Sequence, residues 1–129
     1  MNGNLVDTGA ALLVLAAPER LSAAVREAVE RGPNWLIALS YWEVVLKAMK
    51  GKLDVGDPRL WWADALQQLS AVALPLQPRH IAEIPSLPPL HQDPFDRALI
   101  AQATVEELTL VTTDRALPPY ASERFRVLQ

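Results

Sequence analysis

Four carboxylates stand out by where they fall: Asp7, Glu43, Asp96 and Asp114. Asp7 ends the short apolar run Asn4-Leu5-Val6. Glu43 follows the run Trp35-Leu36-Ile37-Ala38-Leu39. Asp96 comes just after Asp93-Pro94, and Asp114 just after Thr109-Leu110-Val111-Thr112. Such runs suit buried strands. In an open parallel sheet, ligands collect at the carboxyl ends of the strands. Asp7, Glu43 and Asp114 are predicted at that edge, and Asp96 joins them if its helix points its N-terminus inward. Carboxylates gathered there raise one another's pKa values unless a cation neutralises them. Oxygen-only donors suit Mg²⁺ or Mn²⁺. Hard cations held by carboxylates commonly serve phosphoryl transfer.

Each acid also has an ordinary explanation. Ser40 and Glu43 have the spacing of a capping box, which would open a helix through Val44 and Met49. Asp93 suits an N-cap before Pro94, with Asp96 a favourable first-turn acid. Asp7 or Asp114 alone would pass for a loop residue. Acids at helix starts are common, so spacing alone does not decide.

The elements that must position these acids alternate. Thr8 is expected to cap a helix carrying Leu12, Leu13 and Leu15. Leu21, Val25 and Val29 recur at helical spacing before the stop Arg31-Gly32-Pro33. Lys47, Lys50 and Gly51 suit the end of the helix that Glu43 occupies. Asp57-Pro58 starts a helix with Trp61, Ala65, Leu66 and Leu69. Val72 to Leu76 is strand-like, and Pro78 opens a short helix. Asp93-Pro94 starts a helix with Phe95, Leu99 and Ala103 on one face, and Arg126-Val127-Leu128 is a candidate last strand. Strands separated by helices imply parallel crossovers, and so a sheet covered on both faces.

The composition narrows the function classes. The chain has 129 residues, half of them apolar, with a net charge of −3. That suits one soluble domain over residues 1–129. With no cysteine, disulfides and thiolate metal sites are excluded. His80 and His91 are the only imidazoles, so a three-His zinc site is excluded too. The apolar stretch Gly9 to Ala17 is too short to span a bilayer, no Lys or Arg precedes it, and Asp7 lies just before it. A cytoplasmic location is the default expectation, with no membrane partner. The mild acidity argues against a broad basic nucleic-acid surface, but leaves room for a local site that works through metal.

Four stretches, in order and across nearly the whole chain, resemble PIN-domain ribonucleases of the VapC type, the toxins of bacterial toxin–antitoxin pairs. They are Leu5-Val6-Asp7-Thr8 with Ala10 to Leu15; Ser40-Tyr41-Trp42-Glu43 running on to Lys50-Gly51-Lys52-Leu53; Asp93-Pro94-Phe95-Asp96-Arg97 with Leu99 to Ala103; and Leu110 to Leu117. The resemblance implies a three-layer α/β/α fold around a short parallel sheet of about four to five strands. It implies Mg²⁺- or Mn²⁺-dependent cleavage of RNA, a small antitoxin partner and a homodimer. By position, Asp7, Glu43 and Asp96 match the family's acidic triad and Asp114 its fourth acid. Asp7, Asp96 and Asp114 would hold metal. Asp93 resembles an accessory acid, and Thr112 a small polar residue that supports the first aspartate. Gly9 departs from the pattern, which more often has His or another polar residue there.

The remaining residues carry weaker signals. Arg97 and Arg115 suit RNA phosphates, because the guanidinium fork matches phosphate oxygens, and equally suit neutralising a neighbouring Asp. Lys47, Lys50 and Lys52 would make a small steering patch. His91 lies near Asp93 and is more simply structural. Trp35 and Trp42 are expected in the core. Of Trp61 and Trp62, one is expected inside and the other at a protein interface. Two other functions keep this fold: RNA processing outside a toxin pair, and a silent module that binds RNA or protein without cutting. A phospho-acceptor regulatory domain would need a Lys on a later strand, and none follows Lys52.

Overall fold

The computed structural model describes residues 3–88 and 93–129. His91 falls outside these residues. Five strands form one parallel sheet in the order β3-β2-β1-β4-β5. They are β1 (Asn4–Val6), β2 (Asn34–Ile37), β3 (Ala71–Leu74), β4 (Thr109–Val111) and β5 (Arg126–Leu128). Helices α1 (Thr8–Ala16) and α2 (Ala23–Arg31) link β1 to β2. Helices α3 (Ala38–Met49) and α4 (Pro58–Gln68) link β2 to β3. Helices α5 (Pro78–Glu83) and α6 (Pro94–Glu106) lie between β3 and β4. The expected three-layer α/β/α architecture is what the chain adopts.

Side-chain alternation along the strands creates the two outer interfaces. Val6, Leu36, Val111 and Leu128 point to one side, where α1, α2 and α4 supply Ala10, Ala11, Val25, Trp61 and Ala65. Leu5, Trp35, Ile37, Leu110 and Val127 point to the other, where α6 supplies Leu99, Ile100 and Ala103. The register makes these stripes continuous, since Leu5 pairs with both Trp35 and Leu110, and Leu110 with Val127. The crossover from β4 to β5 contains no α-helix. Leu117 and Phe125, both buried, pin it to the second core instead.

The order of the strands fixes where a ligand site can form. The chain builds outward from β1 to β2 and β3, then returns to place β4 on β1's free side. The first crossover and the return crossover cover opposite faces. A crevice therefore opens at the carboxyl ends of β1 and β4, the switch point of the sheet.

Several local expectations need correction. Asp7, not Thr8, caps α1: its carboxylate accepts from the Ala10 N–H, and Thr8 is the first helical residue. The strand ends at Ile37, and α3 starts at once at Ala38 with no side-chain cap. Ser40 and Glu43 are thus both inside the helix and form no capping box. Trp42 is not in the core but 55% exposed. It stands two residues before the fully buried Val44, which turns it about 200° away from the core side. Trp61 is buried, whereas Trp62 is half-buried and stacks on Tyr41 with ring centres 4.9 Å apart. Gly51 follows the end of α3 at φ 71°, a left-handed conformation that favours glycine after a helix.

At the amino end of the sheet lies a buried polar knot. Asn4 and Asn34, register partners on β1 and β2, are joined by a side-chain hydrogen bond of 3.0 Å. Asn4 also donates to the Ala28 carbonyl, and Asn34 to the carbonyls of Val29 and Leu69, each at 2.8 Å. These carbonyls lie toward the C-terminus of α2 and just past α4, where helices leave acceptors short of partners; that of Ala28 also accepts the Gly32 N–H.

Candidate active site

Asp7 sits where β1 gives way to α1 and is 6% exposed. One carboxylate oxygen accepts the Ala10 N–H at 2.7 Å, and the other accepts the hydroxyl of Thr112. That hydroxyl in turn accepts the Asp114 N–H at 2.9 Å, and the Asp114 carboxylate accepts the Ala116 N–H at 2.9 Å. The ends of β1 and β4 are thereby tied together around one buried carboxylate. Burial pushes the Asp7 pKa up. The bonds from Thr112 and Ala10 oppose this, and the negative charges of Asp114 and Glu43 push it further up.

Glu43 reaches the same place from the second turn of α3. Its carboxylate pairs with Lys47 one turn on, at 3.1 Å. The start of α3 is fastened to the start of α1 by the Thr8 hydroxyl donating to Ser40, at 2.9 Å. Asp96 comes from the first turn of α6, whose N-terminus is capped by Asp93 accepting the Phe95 N–H at 2.8 Å.

A cleft of about 210 Å³ collects these groups. Asp7, Glu43, Asp96 and Asp114 all line it, with Lys47, Phe95, Ser40 and Gly9 among the others. The remaining expected residues stand apart. Asp93 and Thr112 support the lining from behind, and Arg97 and Arg115 do not line the cleft. Lys47 supplies a cation inside it. At Gly9 an added Cβ would meet the Thr113 Oγ1 at 2.9 Å, so the turn after β4 closes down on α1 where most side chains would hold it off.

The residues fit a hard divalent cation in chemistry. The acidic donors are all oxygen, and one is a buried carboxylate whose charge burial disfavours. Among the described residues no three such groups converge closely enough to enclose a bare ion. Magnesium keeps several of its waters, and the cleft has room for a hydrated ion.

Thr112 acts through Asp7, which gives a first expected result. Thr112→Val keeps the shape but removes the hydroxyl that orients the carboxylate. If Asp7 holds metal, affinity for it should fall about 10- to 100-fold, the usual cost of losing a partner of a ligating group. Titration of Mn²⁺ against protein stability would read this. An unchanged affinity would show the bond to be incidental.

The fold and the cleft together define a class. The family model for the PIN domain matches residues 5–122, and the chain belongs to the PIN-domain family. A relative, Ribonuclease VapC22 of Mycobacterium tuberculosis, is 32% identical over 124 residues, which is 93% of each chain. VapBC2 from Rickettsia felis, solved with a promoter DNA fragment, superposes over 99% of this chain and 98% of its own, with a TM-score of 0.74 and 12% identity. DNA-bound VapBC from Salmonella typhimurium superposes over the same shares with a TM-score of 0.69 and 14% identity. At those identities the two structures speak to the fold.

Proposed function

We propose that this chain is a metal-dependent ribonuclease, acting as one domain, and the toxin of a toxin–antitoxin pair. One observation carries the reading: four carboxylates from separate parts of the chain line one cleft at the switch point of the sheet. Kinship to a VapC ribonuclease across nearly the full length supports it. Asp7, Asp96 and Asp114 would hold Mg²⁺ or Mn²⁺, directly or through water. When bound, such a cation polarises the phosphodiester and makes nearby water a better nucleophile. Glu43 would complete the metal's shell or orient the attacking water, and Lys47, paired with it, adds a positive charge to the cleft. Thr112 keeps Asp7 in its ligating orientation, while Arg97 and Arg115 would hold RNA beyond the cleft. The site is expected to work in the cytoplasm, on a homodimer.

An antitoxin needs a surface to cover. Met49 on α3 and Leu60 on α4 are 78% and 66% exposed on two helices that pack together. Apolar side chains of that size in the open suit an amphipathic helix of a small partner.

The test is cleavage of a mixed RNA panel with Mn²⁺, with Mg²⁺ and with EDTA. Cleavage that needs metal and ceases in EDTA is expected. A folded protein that cuts nothing under any condition would favour the silent binding module. Cleavage with no growth arrest when the gene is expressed alone would favour RNA processing.

A further inference from the structure

Trp42 is the residue that the proposed reaction leaves unexplained. It precedes Glu43 on α3, as Phe95 precedes Asp96 on α6. The two rings meet edge to face, with centres 5.4 Å apart and planes at 63°. Phe95 lines the acidic cleft. Trp42 stands outside it, 55% exposed. The pair makes an aromatic corner at the rim, one ring facing the catalytic acids and the other facing water. Both rings are one residue from a carboxylate of the cleft, so the backbone keeps them close to those acids.

We infer that Trp42, backed by Phe95, is the platform on which a base next to the cut phosphate stacks. Single-stranded RNA is commonly gripped this way, through unstacked bases on aromatic rings and phosphates on cations. The local charge agrees. Lys47 lies five residues further along α3 and lines the cleft, and Lys50 follows as the cap of that helix's end. An acidic chain with only three lysines thus places two of them on the helix end beyond the exposed indole. Stacking tolerates any base, so Trp42 would add affinity and register rather than sequence choice. Because it touches no reacting atom, it acts as a positioning residue. The inference rests on the ribonuclease reading and adds the path of the strand.

The experiment is steady-state cleavage of whichever panel RNA the wild type cuts, comparing Trp42→Ala and Trp42→Phe. KM is expected to rise about 10- to 100-fold in Trp42→Ala with kcat within threefold, and to recover largely in Trp42→Phe. In EDTA, where nothing is cut, an oligouridylate decamer should quench wild-type tryptophan fluorescence, and Trp42→Phe should lose that quench. A wild type that cuts no RNA overturns the ribonuclease reading and this one with it. Normal cleavage with unchanged KM in Trp42→Ala overturns the stacking alone. So does a change of oligomeric state in Trp42→Ala without a KM effect, which would assign the indole to a protein interface.

Discussion

Asp7→Asn is expected to abolish metal-dependent cleavage while making the metal-free protein more stable at neutral pH. The first half follows from its place. If losing a mere partner of a ligand costs 10- to 100-fold, losing the ligand's charge should cost more than about 100-fold. The second half follows from its environment. Burial raises the Asp7 pKa above its ordinary carboxylate value, and Asp114 and Glu43 add to the rise. A raised carboxylate pKa means that the folded chain holds this proton more tightly than the unfolded chain. That contribution is present below the ordinary carboxylate range and is lost as pH climbs through the raised value. Above it, the buried charge favours unfolding.

Asparagine removes this penalty and keeps an oxygen for the Ala10 N–H, although Thr112 must turn its proton elsewhere. In EDTA, the melting temperature of Asp7→Asn should equal or exceed that of wild type, by a margin that grows from pH 4 to pH 8. Mn²⁺ should raise wild type and leave the variant unmoved, because only a bound ligand shifts the folding equilibrium. A variant that still cuts within tenfold of wild type would sink the assignment. So would a margin that shrinks with rising pH.

The second large effect lies at the opposite end of the sheet. Asn34→Leu should lower stability by about 2–5 kcal/mol, with a fall in melting temperature of about 10 °C or more. Leucine nearly matches the volume but removes two donors at once, leaving the carbonyls of Val29 and Leu69 short of a partner. It also takes away the acceptor of Asn4. Asn34→Asp should be no milder, since it would set a carboxylate against those same carbonyls. Below its melting point, Asn34→Leu should cut RNA with unchanged kcat and KM, because the knot lies a strand's length from the cleft. Denaturant unfolding measures the first claim, and a loss below about 1 kcal/mol would refute it.

The sheet was legible because its strands are short apolar runs ended by acids or turn residues. Asp7, Glu43 and Asp114 could be gathered on one edge by that logic, and Asp96 only on the condition that its helix pointed inward. What the runs did not reveal was where strand becomes helix. Trp35 to Leu39 is apolar throughout, but the chain changes from period two to period 3.6 at Ala38 without a polar break. The Ser40–Glu43 spacing then imitated a cap inside a helix already under way. Trp42 was misplaced for another reason: its apolar bulk outweighed a helical spacing that already turned it about 200° from Val44. Thr112 was marked only by the family resemblance, not by composition or spacing. The physical reason for its role appears when β4 is set beside β1, a pairing between residues more than 100 positions apart.

That pairing has a consequence during synthesis. The carboxylate that anchors the cleft is made 105 residues before the hydroxyl that orients it. Everything from β1 to β4 must therefore be translated before the site is complete. A prematurely terminated product would carry Asp7 and Glu43 but no β4 to organise them. For a ribonuclease toxin, harmful competence therefore arrives only once β4 has been made and paired with β1.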